Sequence, residues 1–405
     1  MLRHLLTVLL SFVVVVSTAH AQEAPGAPDP ARVRLRVGPL WLNPTLSLTN
    51  AGVDTNVFND PDNEAPKKDF NITVTPQTQL WLRMGRTWFT GYLKGDIVWF
   101  KKYASERSGN KSYTVGWLVP LTRLTFTAAG TWVSTHERPG FEIDARPERH
   151  QLNVNSSVEV TALSKTFIGF RFDRTKVDFA EGETFLDVDL HDGLNRVGTT
   201  GGVTLRHQVT PLTALTLDVS KQQDRFGGSP LRDSDSIRIN AGVKFDPFAL
   251  LNGSATFGYR DFNPSAPDLK GYKGTTAAVN LSYVAGDATR IALSASRDVQ
   301  YSYDINQPYY LQTGLSGAVA QQIYGPLDVE ARIGRQRLAY RTRAGADVEV
   351  EDRVDHVRSY GIGIGYRVGR EIRIAFNVEN QDRESDLANR KYHGLRYGSA
   401  ITYGF

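Results

Sequence analysis

Apolar and polar residues alternate along most of this chain with a period of two, the spacing that gives a β-strand one greasy and one wet face. Ile168, Phe170 and Phe172 alternate with Gly169, Arg171 and Asp173. Ile237, Ile239, Ala241 and Val243 alternate with Arg238, Asn240, Gly242 and Lys244. Leu327, Val329, Ala331 and Ile333 alternate with Asp328, Glu330, Arg332 and Gly334, and Ile372, Ile374, Phe376 and Val378 with Arg373, Ala375, Asn377 and Glu379. No segment carries the 3.6 period of an amphipathic helix able to cover a sheet face.

Turn chemistry divides the strands into hairpins. Tight turns fall at Gly85-Arg86, Pro120-Leu121-Thr122, Ser164-Lys165, Pro211-Leu212-Thr213, Asp246-Pro247-Phe248, Gly286-Asp287-Ala288, Gly325-Pro326 and Gly369-Arg370. Each offers Gly, Pro or a short polar residue where the chain must reverse. They recur roughly every 40 residues, the length of two tilted strands and one loop. Longer polar connections lie between them, at 59–68, 102–110, 135–147, 180–194, 227–233, 263–271, 303–307, 342–352 and 385–389. Eight tight turns join sixteen strands, and one strand precedes and one follows, so the pattern predicts about 18 strands, with 16 as the fallback. A soluble sheet this large would split or carry helices. The expected fold is all-β: a transmembrane antiparallel up-and-down β-barrel with short periplasmic turns and longer extracellular loops.

Both chain ends agree. Met1 to His4 is a short basic start, Leu5 to Val16 a nearly unbroken apolar run, and Ala19-His20-Ala21 an A-x-A cleavage site. Residues 1–21 are therefore expected to be a cleaved secretory signal peptide, 22–39 a short flexible periplasmic lead-in with Pro25, Pro28 and Pro30, and 40–405 the barrel. At the other end Leu395, Tyr397, Ser399, Ile401, Tyr403 and Phe405 alternate with Arg396, Gly398, Ala400, Thr402 and Gly404. This ending, with Tyr403 and Phe405, resembles the C-terminal assembly signal of bacterial outer-membrane β-barrels. That implies the barrel-assembly machinery as a partner. A closed barrel must end in a strand, because its last strand pairs with its first and leaves no edge.

Composition narrows the classes. Mean hydropathy is negative, at −0.33, and beyond the signal no run suits a membrane helix. Removing the signal removes Arg3 and no acid, so the net charge falls from +4 to +3. No basic block interleaved with aromatics points to nucleic acid. The absence of cysteine excludes a lipoprotein anchor, disulfides and thiolate metal sites.

The polar row is expected to line the lumen: Lys94, Asp96, Arg171, Asp173, Arg206, Asp218, Arg238, Lys244, Arg290, Asp328, Glu330, Arg332, Arg373, Glu379 and Arg396. Such charges either hydrate a polar solute across an open pore or pair across strands and partly plug it. No segment reads as a long inward constriction loop. The lumen is thus expected to be open, or closed by its own side chains and short loops. Girdle aromatics are expected at Tyr366, Tyr403 and Phe405 on the periplasmic side and at Trp99, Trp132, Tyr301 and Tyr340 on the outer side. Arg335 and Arg337 continue an outward row past Ile333, where they either meet lipopolysaccharide phosphates or are merely solvated.

Catalytic readings are poorly supported. Thr135-His136-Glu137 and His191-Asp192 lack a spaced partner set, and no cluster has metal-ligand spacing. Gly361, Gly363 and Gly365 alternate with Ile362 and Ile364 in a strand with no helix following, so they widen the lumen or relieve curvature rather than cradle a phosphate. No enzyme, cofactor or metal site is expected.

One motif is sharper. Gly38 to Leu48 leads into Gly52-Val53-Asp54-Thr55-Asn56-Val57-Phe58-Asn59. This opening resembles that of the putative β-barrel porin 2 type of outer-membrane protein, where Asp-x-Asn-x-Phe follows the first strand. The resemblance implies a conduit for exopolysaccharide or capsular polysaccharide across the outer membrane of a Gram-negative-type bacterium. Outer-membrane lipid, lipopolysaccharide, and polysaccharide with its export complex are then the implied partners. A general diffusion or uptake porin for small solutes and a closed structural barrel that scaffolds envelope partners remain as alternatives.

Overall fold

In the computed structural model, residues 26–404 are described, apart from 29, 31–32, 247–248, 287 and 352. The expected signal peptide and its cleavage site, Phe405, and Pro247, Phe248 and Asp287 of two predicted turns lie outside the described residues.

Eighteen long strands form one antiparallel sheet. They are β1 (Leu40–Asp54), β2 (Asp69–Met84), β3 (Thr87–Phe100), β4 (Ser108–Pro120), β5 (Leu124–Thr135) and β6 (Arg149–Leu163). Next come β7 (Thr166–Phe179), β8 (Arg196–Thr210), β9 (Thr213–Phe226), β10 (Ser234–Phe245), β11 (Leu251–Pro264) and β12 (Tyr272–Ala285). The last six are β13 (Thr289–Tyr301), β14 (Tyr309–Tyr324), β15 (Leu327–Arg341), β16 (Val354–Val368), β17 (Ile372–Glu384) and β18 (Tyr392–Tyr403). Each pairs with its neighbour in sequence, and β1 pairs with β18, so the cylinder is closed and has no free edge. The predicted count and up-and-down order are therefore both met. Described parts of the lead-in touch the barrel. Leu35–Val37 adds a short strand to Leu40–Leu42, and the Gly26 carbonyl accepts a hydrogen bond from Trp81 Nε1 at 2.8 Å.

The outer surface is greasy along whole strands: Phe170, Ile237, Ile333, Ile362 and Phe376 are all exposed. A protein facing water would bury this row, so lipid is the solvent it fits. Tyr366, Tyr403, Trp99 and Trp132 stand on this surface as expected of girdle residues. Tyr340 and Tyr301 do not. Tyr340 shares parity with the inward Asp328, Glu330 and Arg332, and is fully buried against Tyr310 and Leu338. Tyr301 lies past Arg297, the last β13 residue paired to β12, and its hydroxyl bonds to Asp224 and Ser234 inside. Both tyrosines belong to the interior.

The buried apolar clusters sit at the long-loop end, not midway along the barrel. Ile143, Val177, Phe179, Phe185, Leu190, Leu194 and Tyr303 form one; Phe262, Leu269, Val299, Tyr309 and Leu311 form another. Leu190, Leu194 and Phe185 come from the β7–β8 loop, whose short helix Leu190–Leu194 is capped by the Asp189 carboxylate. Loops that fold inward, rather than a conventional core, fill this end.

Candidate functional site: the lumen and its constriction

Most inward charges are paired along the wall. Arg171 on β7 donates to Asp218 on β9 at 2.9 and 3.0 Å, and to Asp173 at 2.8 Å. Arg206 on β8 reaches Glu159 on β6 at 2.9 Å. Arg373 on β17 reaches Asp328 on β15, which also faces Arg367 at 3.6 Å. Arg238 on β10 and Arg260 on β11 share Asp298 on β13 at 2.9 and 2.7 Å. The Arg171–Asp218, Arg206–Glu159, Arg373–Asp328 and Arg260–Asp298 pairs leap over one strand and Arg238–Asp298 over two, which side chains manage only where they converge on the concave face of a cylinder. Lys94 pairs with Asp96 at 2.8 Å, Arg332 with Glu330 at 3.2 Å and Arg396 with Asp54 at 2.9 Å. Among the described residues Arg290, Lys244 and Glu379 make no ion pair, although Glu379 stands opposite Arg396 in the register. Glu159, Asp298 and Arg260 leave no local signal in the sequence, because each has its partner two or more strands away; Arg367 meets Asp328 from the adjacent strand.

Glycine makes the leaps possible. A Cβ on Gly202 of β8 would lie 3.2 Å from Arg171 Nε, and one on Gly365 of β16 would lie 2.4 Å from Arg373 Nη2 and 2.6 Å from Asp328 Oδ1. Gly361 lies beneath Arg332, and Gly363 beneath Asn377. The alternating glycines thus form a flat bed on which neighbouring charges lie. Gly365→Val should separate Arg373 from Asp328 and lower barrel stability by roughly 1–3 kcal/mol, the usual cost of overpacking. The midpoint of heat-induced unfolding in detergent reads this, and an unchanged midpoint would refute the bed.

Contrary to expectation, the barrel does contain an inward constriction loop. Residues 136–148, between β5 and β6, fold into the lumen and dock on the far side of the ring. Arg383 of β17 donates to the Phe141 carbonyl at 3.1 Å and to Asp144 Oδ2 at 3.1 Å. Arg390, just before β18, donates to the Glu142 carbonyl and reaches Asp144 at 3.0 Å. Glu142 is buried; its carboxylate accepts from Ser302 Oγ at 2.6 Å and from the Tyr303 amide at 3.3 Å. Burial pushes the Glu142 carboxyl above the usual range, against the pull of Ser302, Arg353 and Arg390. Phe141 packs on Tyr310, Leu338 and Tyr340, and Ile143 joins the apolar cluster with Phe185 and Tyr303.

The Asp-x-Asn-x-Phe element anchors the base of the loop. The Val57 carbonyl accepts from Arg138 at 2.8 Å and from Arg146 at 2.9 Å, and Asn59 Nδ2 donates to Asp144 at 2.8 Å. Burial lowers the Arg138 guanidinium to about 10, with Arg146 and Arg396 adding to the effect. The same element clasps the closing seam. Asn56 donates to the carbonyls of Asp60 and His393, the Thr55 amide to the Leu395 carbonyl, and Asp54 accepts from Arg396. One motif therefore ties the first strand to the last and holds the constriction. The histidines weighed for catalysis are peripheral: His136 lies 3.9 Å from Glu148, and His191 Nδ1 lies 2.7 Å from the Phe179 carbonyl and 3.0 Å from Asn195 Nδ2, so that its tautomer selects one of the two as partner.

Around and beneath the loop, space remains. A cavity of ≈ 130 Å³ is bordered by Glu142, Ile143, Arg149, Arg196, Gln300 and Tyr310. A larger one of ≈ 350 Å³ runs along Asp224, Arg238, Asn240, Arg260, Asp298 and Gln312. Both linings mix guanidinium, carboxylate and amide groups, which suits polar solutes in water.

A closed antiparallel cylinder, apolar outside and charged within, is the architecture of an outer-membrane porin. The chain belongs to the family described as Putative beta-barrel porin 2, whose model matches residues 28–403. No curated protein matches the sequence. Among solved structures, the outer membrane protein OpdK from Pseudomonas aeruginosa is 11% identical, with 89% of this chain and 98% of that chain covered and a TM-score of 0.49. OccK3 (OpdO) from Pseudomonas aeruginosa is 10% identical, covers 89% and 95%, and has a TM-score of 0.45. A bacterial polysaccharide outer membrane secretin is 8% identical, covers 89% and 98%, and has a TM-score of 0.33.

Proposed function

We propose that this protein is a diffusion channel for the uptake of small polar solutes across the outer membrane. The observation that carries the reading is the inward loop, fixed to the opposite wall by Arg383 and Arg390. A barrel of 18 strands encloses a water-wide lumen, and a docked crossbar converts that width into a size limit. Small solutes can pass beside it, whereas a polysaccharide chain would need the loop withdrawn. The uptake reading is therefore preferred to polysaccharide export, which the family resemblance had placed first, and to a closed scaffold.

Single-channel conductance in planar bilayers and liposome swelling with sugars of increasing length test this. Wild type should give a small, steady conductance and admit mono- and disaccharides. Replacing residues 139–144 by a short Gly-Ser linker should raise the conductance several-fold and admit longer sugars. No current from either protein would favour the closed scaffold. Passage of long oligosaccharides by wild type, unaffected by the linker, would favour export.

A further inference from the structure

We propose that the outer rim of β13–β17 is a binding site for the phosphate groups of a phosphorylated glycolipid in the surrounding outer leaflet, of the lipopolysaccharide type. The register sets the site out in rows. Leu293, Gly317, Ile333, Tyr360, Asn380 and Leu395 stand side by side across six strands, a mainly apolar row in which Ile333 and Tyr360 are exposed. One step towards the long loops, the next outward row reads Ala295, Leu315, Arg335, Arg358, Asp382 and His393. The step after that reads Arg297, Thr313, Arg337, His356 and Glu384. The surface passes from grease to guanidinium within two rows, at the height where hydrocarbon gives way to headgroups.

Four arginines meet two carboxylates there. Arg358 is forked onto Glu384, with both bonds at 3.0 Å. Arg297 donates to Thr313 Oγ1 at 3.0 Å and to the Thr275 carbonyl at 3.2 Å, and makes no ion pair among the described residues. Arg335 and Arg337 are exposed, and neither makes a hydrogen bond or ion pair among the described residues. Arg335 is also paired directly opposite Arg358. Like charges in register destabilise a sheet, and beside hydrocarbon the repulsion is screened less than in bulk water. An external anion between the two would turn that repulsion into attraction. Guanidinium is the side chain best shaped for a phosphate, which it can grip through two parallel N–H donors. On a lipid-facing wall, the anion at this depth is a headgroup phosphate.

The test uses the whole barrel in nanodiscs containing bisphosphorylated lipid A, its dephosphorylated counterpart, or neither, with bound glycolipid measured after exchange into lipid lacking it. Wild type should retain the bisphosphorylated form at least fivefold more than the dephosphorylated one, and millimolar inorganic phosphate should not displace it. Arg335→Gln with Arg337→Gln should abolish the preference while leaving heat-modifiable migration and conductance unchanged. Equal retention of both lipids by wild type would overturn the proposal, as would full displacement by inorganic phosphate. An undiminished preference in a folded double variant would overturn it too.

Discussion

Gly52→Val should prevent the barrel from closing and leave little folded protein in the outer membrane. Gly52 of β1 lies directly opposite Gly398 of β18, beside an irregularity where the pairing steps from Leu48 to Ala51. Asn50, inside that step, adopts φ 55°, a left-handed conformation that asparagine tolerates better than most residues. A Cβ on Gly52 would sit 2.0 Å from the Tyr397 carbonyl oxygen and 2.4 Å from Gly398 Cα. Both are backbone atoms, so no rotamer change can make room. The seam itself would have to part, and an unpaired first and last strand would expose two edges within the bilayer, where each orphaned backbone group costs several kcal/mol. The shift in electrophoretic migration between heated and unheated samples reads closure directly. Wild type should shift, and Gly52→Val should not. Gly130→Ala and Gly201→Ala are the controls, since nothing lies within 4 Å of either added Cβ. If Gly52→Val migrated as wild type does, the close approach at the seam would be refuted.

Why some features could be read from the residues and others could not is a matter of range. Lipid on one side and water on the other impose the period of two on every strand, so rows such as Ile237 and Ile239 against Arg238 are written locally. The two-residue reversal at Gly85-Arg86 is equally local, with Gly85 at φ 62°. Tyr340 shares its parity with the inward Arg332, so its position in the strand, and not its aromatic character, decides that it lies inside. Charge pairs needed knowledge of the closed cylinder, because Arg171 and Asp218 are neighbours only across an intervening strand. The constriction was hardest, since Arg383 and Asp144 are 239 residues apart. A hint was present nonetheless: Phe141 and Ile143 are bulky and apolar in a loop otherwise dense in charge, and apolar residues in a loop need something to pack on. The role of Asp54 to Asn59 was visible as a motif but not as a clasp, because its partners are Arg138, Arg146 and Arg396.

Arg383→Ala should release the constriction without opening the barrel. The guanidinium is fully buried and holds the Phe141 carbonyl, Asp144 and Asp355 together. Its loss leaves two buried carboxylates short of a partner, a change that typically costs about 3–5 kcal/mol. Compensation is built in on each side, because Asp144 retains Arg390 at 3.0 Å and Asn59 at 2.8 Å, and Asp355 retains Arg353 at 2.6 Å. The strands of the barrel do not depend on this cluster, so the cost falls on the docked state of the loop. Single-channel records should therefore show wild-type current interrupted by long openings of two- to fourfold larger conductance, while heat-modifiability stays normal. Arg383→Lys should lie between the two, since an ammonium keeps the charge but cannot span three acceptors in a plane. Pairing Arg383→Ala with Asp144→Asn distinguishes direct coupling from a general loosening. If the two groups act through each other, the second change should add little to the first; additive effects, or a conductance indistinguishable from wild type in Arg383→Ala, would show that the loop is held elsewhere.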